Sequence, residues 1–253
     1  SPYKKVLLAH FSFEMSATSE ILRNLSLDFN VSYNHLLSSE PDLDKKEYNR
    51  ISDADYQLYR EYLNQSRAKN MLFYEEPSTL EEMTAAIADL RTTYPDHLLV
   101  VTLDHTLLIR RGDEKHEVEL MANLGKYGIH WKKQFNCLVV LLSQMNADIM
   151  RFDRREKPIG HYPIRSDMFG SNQLGHAADM ISFIHRPSII GVDLYGLDEI
   201  PTDKYVHWSW EKARNNGVGD SHFEFAPTQG GFVEKELQYF IDKSRGNLSL
   251  DLV

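Results

Sequence analysis

One cysteine, Cys137, is all that 253 residues contain, so the chain has no intrachain disulfide and no multi-cysteine zinc site. A lone thiol inside the apolar run CLVVLLS suits a reducing compartment, and the expected location is cytoplasmic. No apolar stretch approaches the roughly 18 residues of a membrane span, and no positively charged leader precedes an apolar segment. A membrane partner is not expected. The net charge of −9 excludes a uniformly basic nucleic-acid coat but leaves room for a local basic patch. There is no internal repeat and no low-complexity linker. His161, His176 and His185 have no metal-ligand spacing and read as structural or solvated.

What is present is an ordinary globular balance, 42% hydrophobic and 26% charged, long enough for a sizeable core. Strand-like runs recur at 6–13, 71–75, 97–104, 137–144 and 179–185. They are short, apolar on both faces and mostly separated by helical patterns, which predicts an α/β fold with a largely parallel sheet covered on both sides. Ser78 with Glu81 predicts a capping box, followed by a helix with Leu80, Met83, Ile87, Leu90 and Tyr94 on one face. A second helix is predicted over 116–135, with Leu120, Leu124, Trp131 and Phe135 in a stripe. The segment 38–62 is polar and acidic and reads as outer helices and loops. YVHWSWEKA and HFEFAP flank the turn-rich NNGVGD, predicting an antiparallel hairpin. An amphipathic segment, FVEKELQYFI, and a tail occupy 229–253. One domain over 1–253 is expected.

Three strand ends carry polar side chains. Asp104 ends HLLVVTLD, where a carboxylate can hold magnesium through water, and ligands collect at the carboxyl ends of parallel strands. Glu14 follows VLLAHFSF, where it can orient and deprotonate a water or simply complement a helix dipole. Gln144 follows CLVVLLS. Together they point to a phosphate-hydrolysing site. The stretch 151–165 holds five cations (Arg151, Arg154, Arg155, Lys157, Arg165) against two acids, a net of +3 in an acidic chain. Such a loop can neutralise nucleic-acid phosphates or be a solvated surface. Lys212 and Arg214 alternate along a strand and so share a face, fit for a phosphate clamp or for an ordinary charged edge.

In this order the motifs resemble the RecA-type ATPase domain of the hexameric replicative DNA helicases, the DnaB family, from about residue 5 to 226. FSFEMSA resembles the glutamate motif, LLVVTLDHTLLI the Walker B strand and VVLLSQMN the sensor strand. PIRSDMFGSNQLGHAADMISFIHR resembles the DNA-loop motif with its following strand, and WEKARNNGVGDSHFEF the segment reaching a neighbouring subunit. The resemblance implies a RecA-like fold and ATP hydrolysis with Mg2+, coupled to translocation on single-stranded DNA. Glu14 would activate water, Asp104 would hold the magnesium shell, and Gln144 would report the γ-phosphate. Lys212 and Arg214 would act in trans as stabilising cations, which implies a homo-oligomeric ring, a hexamer by analogy. Arg151, Arg154, Arg155, Lys157 and Arg165, with Gly170, Ser171 and Asn172, would face DNA. A primase or helicase loader is an implied partner.

The chain departs from the pattern at His105 and Leu107, where the family carries an aromatic and a glutamine. It departs again at Phe169 and Gly170, where an Arg-Glu pair is common. The stretch 187–204 reads as a surface insertion reminiscent of phage-encoded members, which would place the protein in a host cytoplasm. Above all, no G-x-x-x-x-G-K-[ST] is present; LGKYG at 124–128 lacks the upstream glycine and the hydroxyl residue. The P-loop strand and helix are therefore absent from these residues. The expectation is a piece of a longer helicase, inactive alone, ahead of a segment supplied by another chain or a degenerate relative. A RecA-type recombinase and a non-catalytic ring or ssDNA-binding scaffold are the competing functions.

Overall fold

Strand β1 (Lys5–Ser12) sends Leu7, Ala9 and Phe11 to one side, and all three are buried, as the two-residue period of a strand dictates. The computed structural model describes residues 5–33, 36, 52–67, 70–169, 171–215, 217–226 and 231–245. It pairs β1 in parallel with β2 (Met71–Tyr74) and β3 (His97–Asp104). β4 (Cys137–Leu141) lies parallel to β3, so the order is β2-β1-β3-β4. Leu99, Val101 and Leu103 of β3 stand level with Leu7, Ala9 and Phe11 and complete a sealed face. The opposite face is covered only in part among the described residues. Val6, Leu138 and Val140 there are 51%, 54% and 40% exposed. These strands belong to a first compact unit, Ser1–Ser143.

Helices of the first unit begin where polar caps permit. α1 (Ala17–Asp28) starts at Ser16, whose hydroxyl accepts the Ser19 amide. After α1, Phe29 meets Tyr59 of α2 (Asp53–Arg67) edge-on at 5.1 Å. Residues 38–51 of the polar stretch lie outside the described residues. α3 (Leu80–Thr93) buries Leu80, Met83, Ile87 and Leu90, as the spacing predicts. Its capping box is Thr79 with Glu82, one residue later than predicted. The reason is local: Ser78 donates to the Glu76 carbonyl (2.9 Å), and Glu81 accepts from Tyr127 Oη (2.6 Å) on α4 (Glu117–Phe135). α4 buries Leu120, Leu124 and Trp131, and Trp131 Nε1 donates to Thr84 Oγ1 at 2.7 Å, tying α4 to α3.

Among the described residues, the second unit, Gln144–Val253, contains six strands: β5 (Met180–His185), β6 (Leu194–Tyr195), β7 (Ile200–Pro201), β8 (Tyr205–Ala213), β9 (Asp220–Ala226) and β10 (Gly231–Lys235). Four of them form an antiparallel sheet, β10-β9-β8-β5. The hairpin β8–β9 is as predicted. β5, however, is not in the parallel sheet but antiparallel to β8. Its residues alternate strictly between exposed and buried, the signature of a sheet with one sealed face. The segment FVEKELQYFI divides into β10 and the helix Leu237–Ser244, with Glu236 at the cap. The shorter helices α5 (Phe152–Arg155) and α6 (Ser171–Ala177) precede this last one, α7.

The stretch 187–204, expected on the surface, is buried in part. Tyr195 and Ile200, on the small β6–β7 ladder, form the core of this unit with Tyr205 and Phe240, each at most 3% exposed. Tyr195 Oη donates to His207 Nδ1 (2.7 Å), which leaves the His207 Nε2 proton for Asp220 (3.0 Å). Tyr205 Oη reaches His222 Nδ1 at 2.7 Å. Satisfied in this way, the polar tips bury without the penalty of orphaned donors. No helix of the described residues is long and apolar enough to cross a membrane.

Candidate functional site

The carboxyl ends of β1 and β3 lie side by side. Ser12 is level with Asp104, and the Phe13 amide extends the ladder by donating to the Asp104 carbonyl at 2.9 Å. Glu14 is the next residue out, its side chain 58% exposed, and its Oε2 is 3.4 Å from His105 Nε2. The Asp104–His105 peptide is cis. The chain just past β4 prolongs the same rim: Leu142 donates its amide to Leu103 O, and Thr106 donates its own to Leu142 O, each at 3.0 Å. Thr106 Oγ1 also reaches Ser143 Oγ at 3.2 Å. Two predicted carboxylates therefore share one rim within the first unit. Among the described residues no group of three or more His, Cys, Asp or Glu could hold a metal ion unaided. A single strand-end carboxylate such as Asp104 matches magnesium, which keeps most of its waters and takes phosphate oxygens.

Gln144 opens the second unit, exposed, and its carbonyl accepts the Phe169 amide at 3.1 Å. Two residues on, the Asn146 amide donates to Asp167 O and its Nδ2 to Ser166 O, both at 2.7 Å. The segment after β4 is thus laced to the segment carrying the loop motif. Lys212 Nζ donates to the Gly175 and His176 carbonyls (2.8 and 3.4 Å), and Arg214 Nη2 to that of His176 (3.3 Å). Both cations end up at the C-terminus of α6, where the helix dipole favours positive charge. Arg214 also pairs with Asp179 at 3.1 Å. Partial burial, then the neighbouring Arg214 and Arg165, lower the Lys212 pKa, against which Asp179 works.

A family model for the DnaB-like helicase C terminal domain matches residues 2–234. The chain belongs to that family. It is 27% identical over 208 residues to the replicative DNA helicase DnaB of Buchnera aphidicola subsp. Baizongia pistaciae (strain Bp), an alignment covering 78% of this chain and 40% of that protein. The chain therefore spans less than half of that curated relative. Among solved structures, an ATPase domain matches with TM-score 0.73 at 17% identity, covering 91% of this chain and 75% of its own. A DnaB-like replicative helicase, solved with its interactions with primase as the subject, matches equally well over 51% of its length. At that identity the likeness concerns the fold, which is RecA-like.

Seen as a DnaB-like domain, the basic loop divides by burial. Arg151, Lys157 and Arg165 are exposed, although Arg151 is within 3.1 Å of Asp153 and Arg165 Nη2 reaches the Glu211 carbonyl at 3.4 Å. Arg154 turns inward instead. Its side chain is 16% exposed and donates to Asp167, to Gly160 O (3.0 Å) and to Tyr162 O (2.7 Å). Arg154, expected to face DNA, is here engaged by Asp167, whose side chain is 1% exposed. Arg155 is half-buried and donates to Ile190 O. Gly170 lies outside the described residues, and Ser171 and Asn172 contribute the first turn of α6. Two features escaped sequence reasoning. Met150, Phe152 and Ile159 are exposed among the loop's cations, which an apolar residue inside a basic run could have signalled. His105 was visible only as a departure from the family pattern.

Proposed function

We propose that the chain is the motor core of a replicative helicase, coupling ATP hydrolysis to movement along single-stranded DNA. The observation that carries this reading is the shared rim of Glu14 and Asp104, placed by the in-register parallel pair β1–β3. Glu14 takes a proton from the attacking water as general base. Asp104 holds the water shell of magnesium, which when bound neutralises charge on the phosphates. Gln144 senses the terminal phosphate, and the Gln144–Phe169 hydrogen bond gives a direct route to the DNA loop. Lys212 and Arg214 complete a neighbouring subunit's site, so the working form is a ring, with six subunits by analogy. Arg151, Lys157 and Arg165 hold DNA phosphates, and Phe152 offers a face for base stacking. Primase is a partner by analogy with the solved relative.

The missing phosphate cradle comes from a G-x-x-x-x-G-K-[ST] segment outside these 253 residues. In support, β4 is the edge strand of its sheet among the described residues yet exposes Leu138 and Val140, with Leu142 exposed just past it, apolar surface of the kind a further strand and helix cover. Membership in a helicase family weighs against a recombinase. The test is nucleotide titration and strand-unwinding assays on the chain alone and joined to such a segment. The joined protein is expected to hydrolyse ATP and unwind DNA, the chain alone to do neither. A joined, folded protein that ignores nucleotide would leave a non-catalytic scaffold as the answer.

A further inference from the structure

We infer that His105 is a positioning residue that holds the Glu14 carboxylate in place at the rim, a role that rests on reading Glu14 as the general base. Three observations converge. First, His105 Nε2 lies 3.4 Å from Glu14 Oε2, across the junction of two strands that are in register up to Ser12 and Asp104. Second, the Leu107 amide donates to His105 Nδ1 at 3.3 Å. A nitrogen accepting that bond keeps its lone pair, so the proton of the neutral ring resides on Nε2, the atom facing Glu14. The ring therefore presents a donor, not an acceptor, to the carboxylate.

Third, the two partners differ in freedom. The His105 side chain is 11% exposed, whereas that of Glu14 is 58% exposed. His105 is also anchored from behind, because the turn it begins is tied through Thr106 to Leu142 and Ser143, which follow β4. An exposed glutamate samples many rotamers, and a base that wanders by an ångström loses much of its effect. A fixed N–H beside it restricts that search. The aromatic that the helicase pattern carries at this position would fill the space without supplying the donor. In this chain the imidazole does both.

Two measurements test the role in the nucleotide-competent protein that contains this chain. For the neutral ring, imidazole 15N shifts are expected to place the His105 proton on Nε2, with a clear displacement in Glu14→Gln. In steady-state hydrolysis His105→Phe, which keeps a ring but removes the donor, is expected to lower kcat by up to about 100-fold with KM nearly unchanged. His105→Gln, which restores an N–H, is expected to recover part of that loss. The Nδ1–H tautomer in the neutral ring, full turnover in His105→Phe, or equal losses in the Phe and Gln variants would each overturn the assignment. If Glu14→Gln keeps its turnover, the general-base reading fails and this role fails with it. An inactive Glu14→Gln beside a fully active His105→Phe removes His105 alone.

Discussion

The guanidinium of Arg154 and the carboxylate of Asp167 form a buried ion pair that closes the basic loop upon itself. Asp167 also accepts the Ile164 amide at 2.8 Å, and Arg154 bridges out to two carbonyls. Removing one member of such a pair strands the other charge, a loss of about 3–5 kcal/mol. Arg154→Ala is therefore expected to lower the unfolding free energy by about 3 kcal/mol, measured by denaturant titration. A change below about 1 kcal/mol would mean that the pair is not formed in solution.

The exposed part of the loop should reveal itself through salt. Arg151→Ala with Lys157→Ala removes two exposed cations, and the slope of log K against log salt for single-stranded DNA should flatten by about 0.7 per cation. Phe152, exposed between them, should behave differently. Phe152→Ala is expected to weaken binding by about 1–3 kcal/mol without altering that slope. Unchanged slopes in the double variant would remove the loop from the DNA path.

Period and apolarity sufficed to read β1, β3, α3 and α4, because each buries one face whose spacing is written locally. The β1–β3 rim followed, since Glu14 and Asp104 both stand at strand ends. Long-range pairing was less legible. DMISFIH looks like any apolar strand, and only its partner β8 reveals it as antiparallel. Tyr195 sits in a stretch with glycines and prolines that reads as loop, yet it enters the core because its hydroxyl finds His207. Arg154 reads as a phosphate ligand until Asp167, thirteen residues on, is seen beside it. A charged residue's sign is evident in sequence; its partner is not.

The histidines of the second unit make stability depend on pH. Burial, reinforced by His207 and Arg154, depresses the His185 pKa to about 4; His161 adds to this, while Asp167 opposes it. Burial likewise lowers His207 and His222, against the pull of Asp220 on both. Depressed values mean that the unfolded chain binds these protons first. Their neutral forms are therefore fully compatible with folding above the unfolded value near 6.5, and stability falls as pH drops below it. His185 alone should remove on the order of 3 kcal/mol by pH 4. Thermal melts between pH 7.5 and 4.5 are expected to show this decline, and His185→Phe is expected to reduce it. A melting temperature independent of pH over that range would contradict the buried, neutral assignment.

Whether Lys212 and Arg214 serve their own site or a neighbour's is decided by mixing. Both cations are tied to the end of α6 and lie in a different unit from Glu14 and Asp104. A cation that acts across a subunit boundary can be supplied by a subunit whose own base is dead. In the nucleotide-competent protein, Glu14→Gln and Arg214→Ala are each expected to abolish hydrolysis when assembled alone. Co-assembled in equal amounts, some boundaries join an intact Glu14 to an intact Arg214, and a fraction of the wild-type rate should return. Lys212→Ala in place of Arg214→Ala should complement in the same manner. Mixed rings that remain as inactive as either parent, although subunit exchange is shown by a fluorescence label, would place the two cations in their own subunit's site.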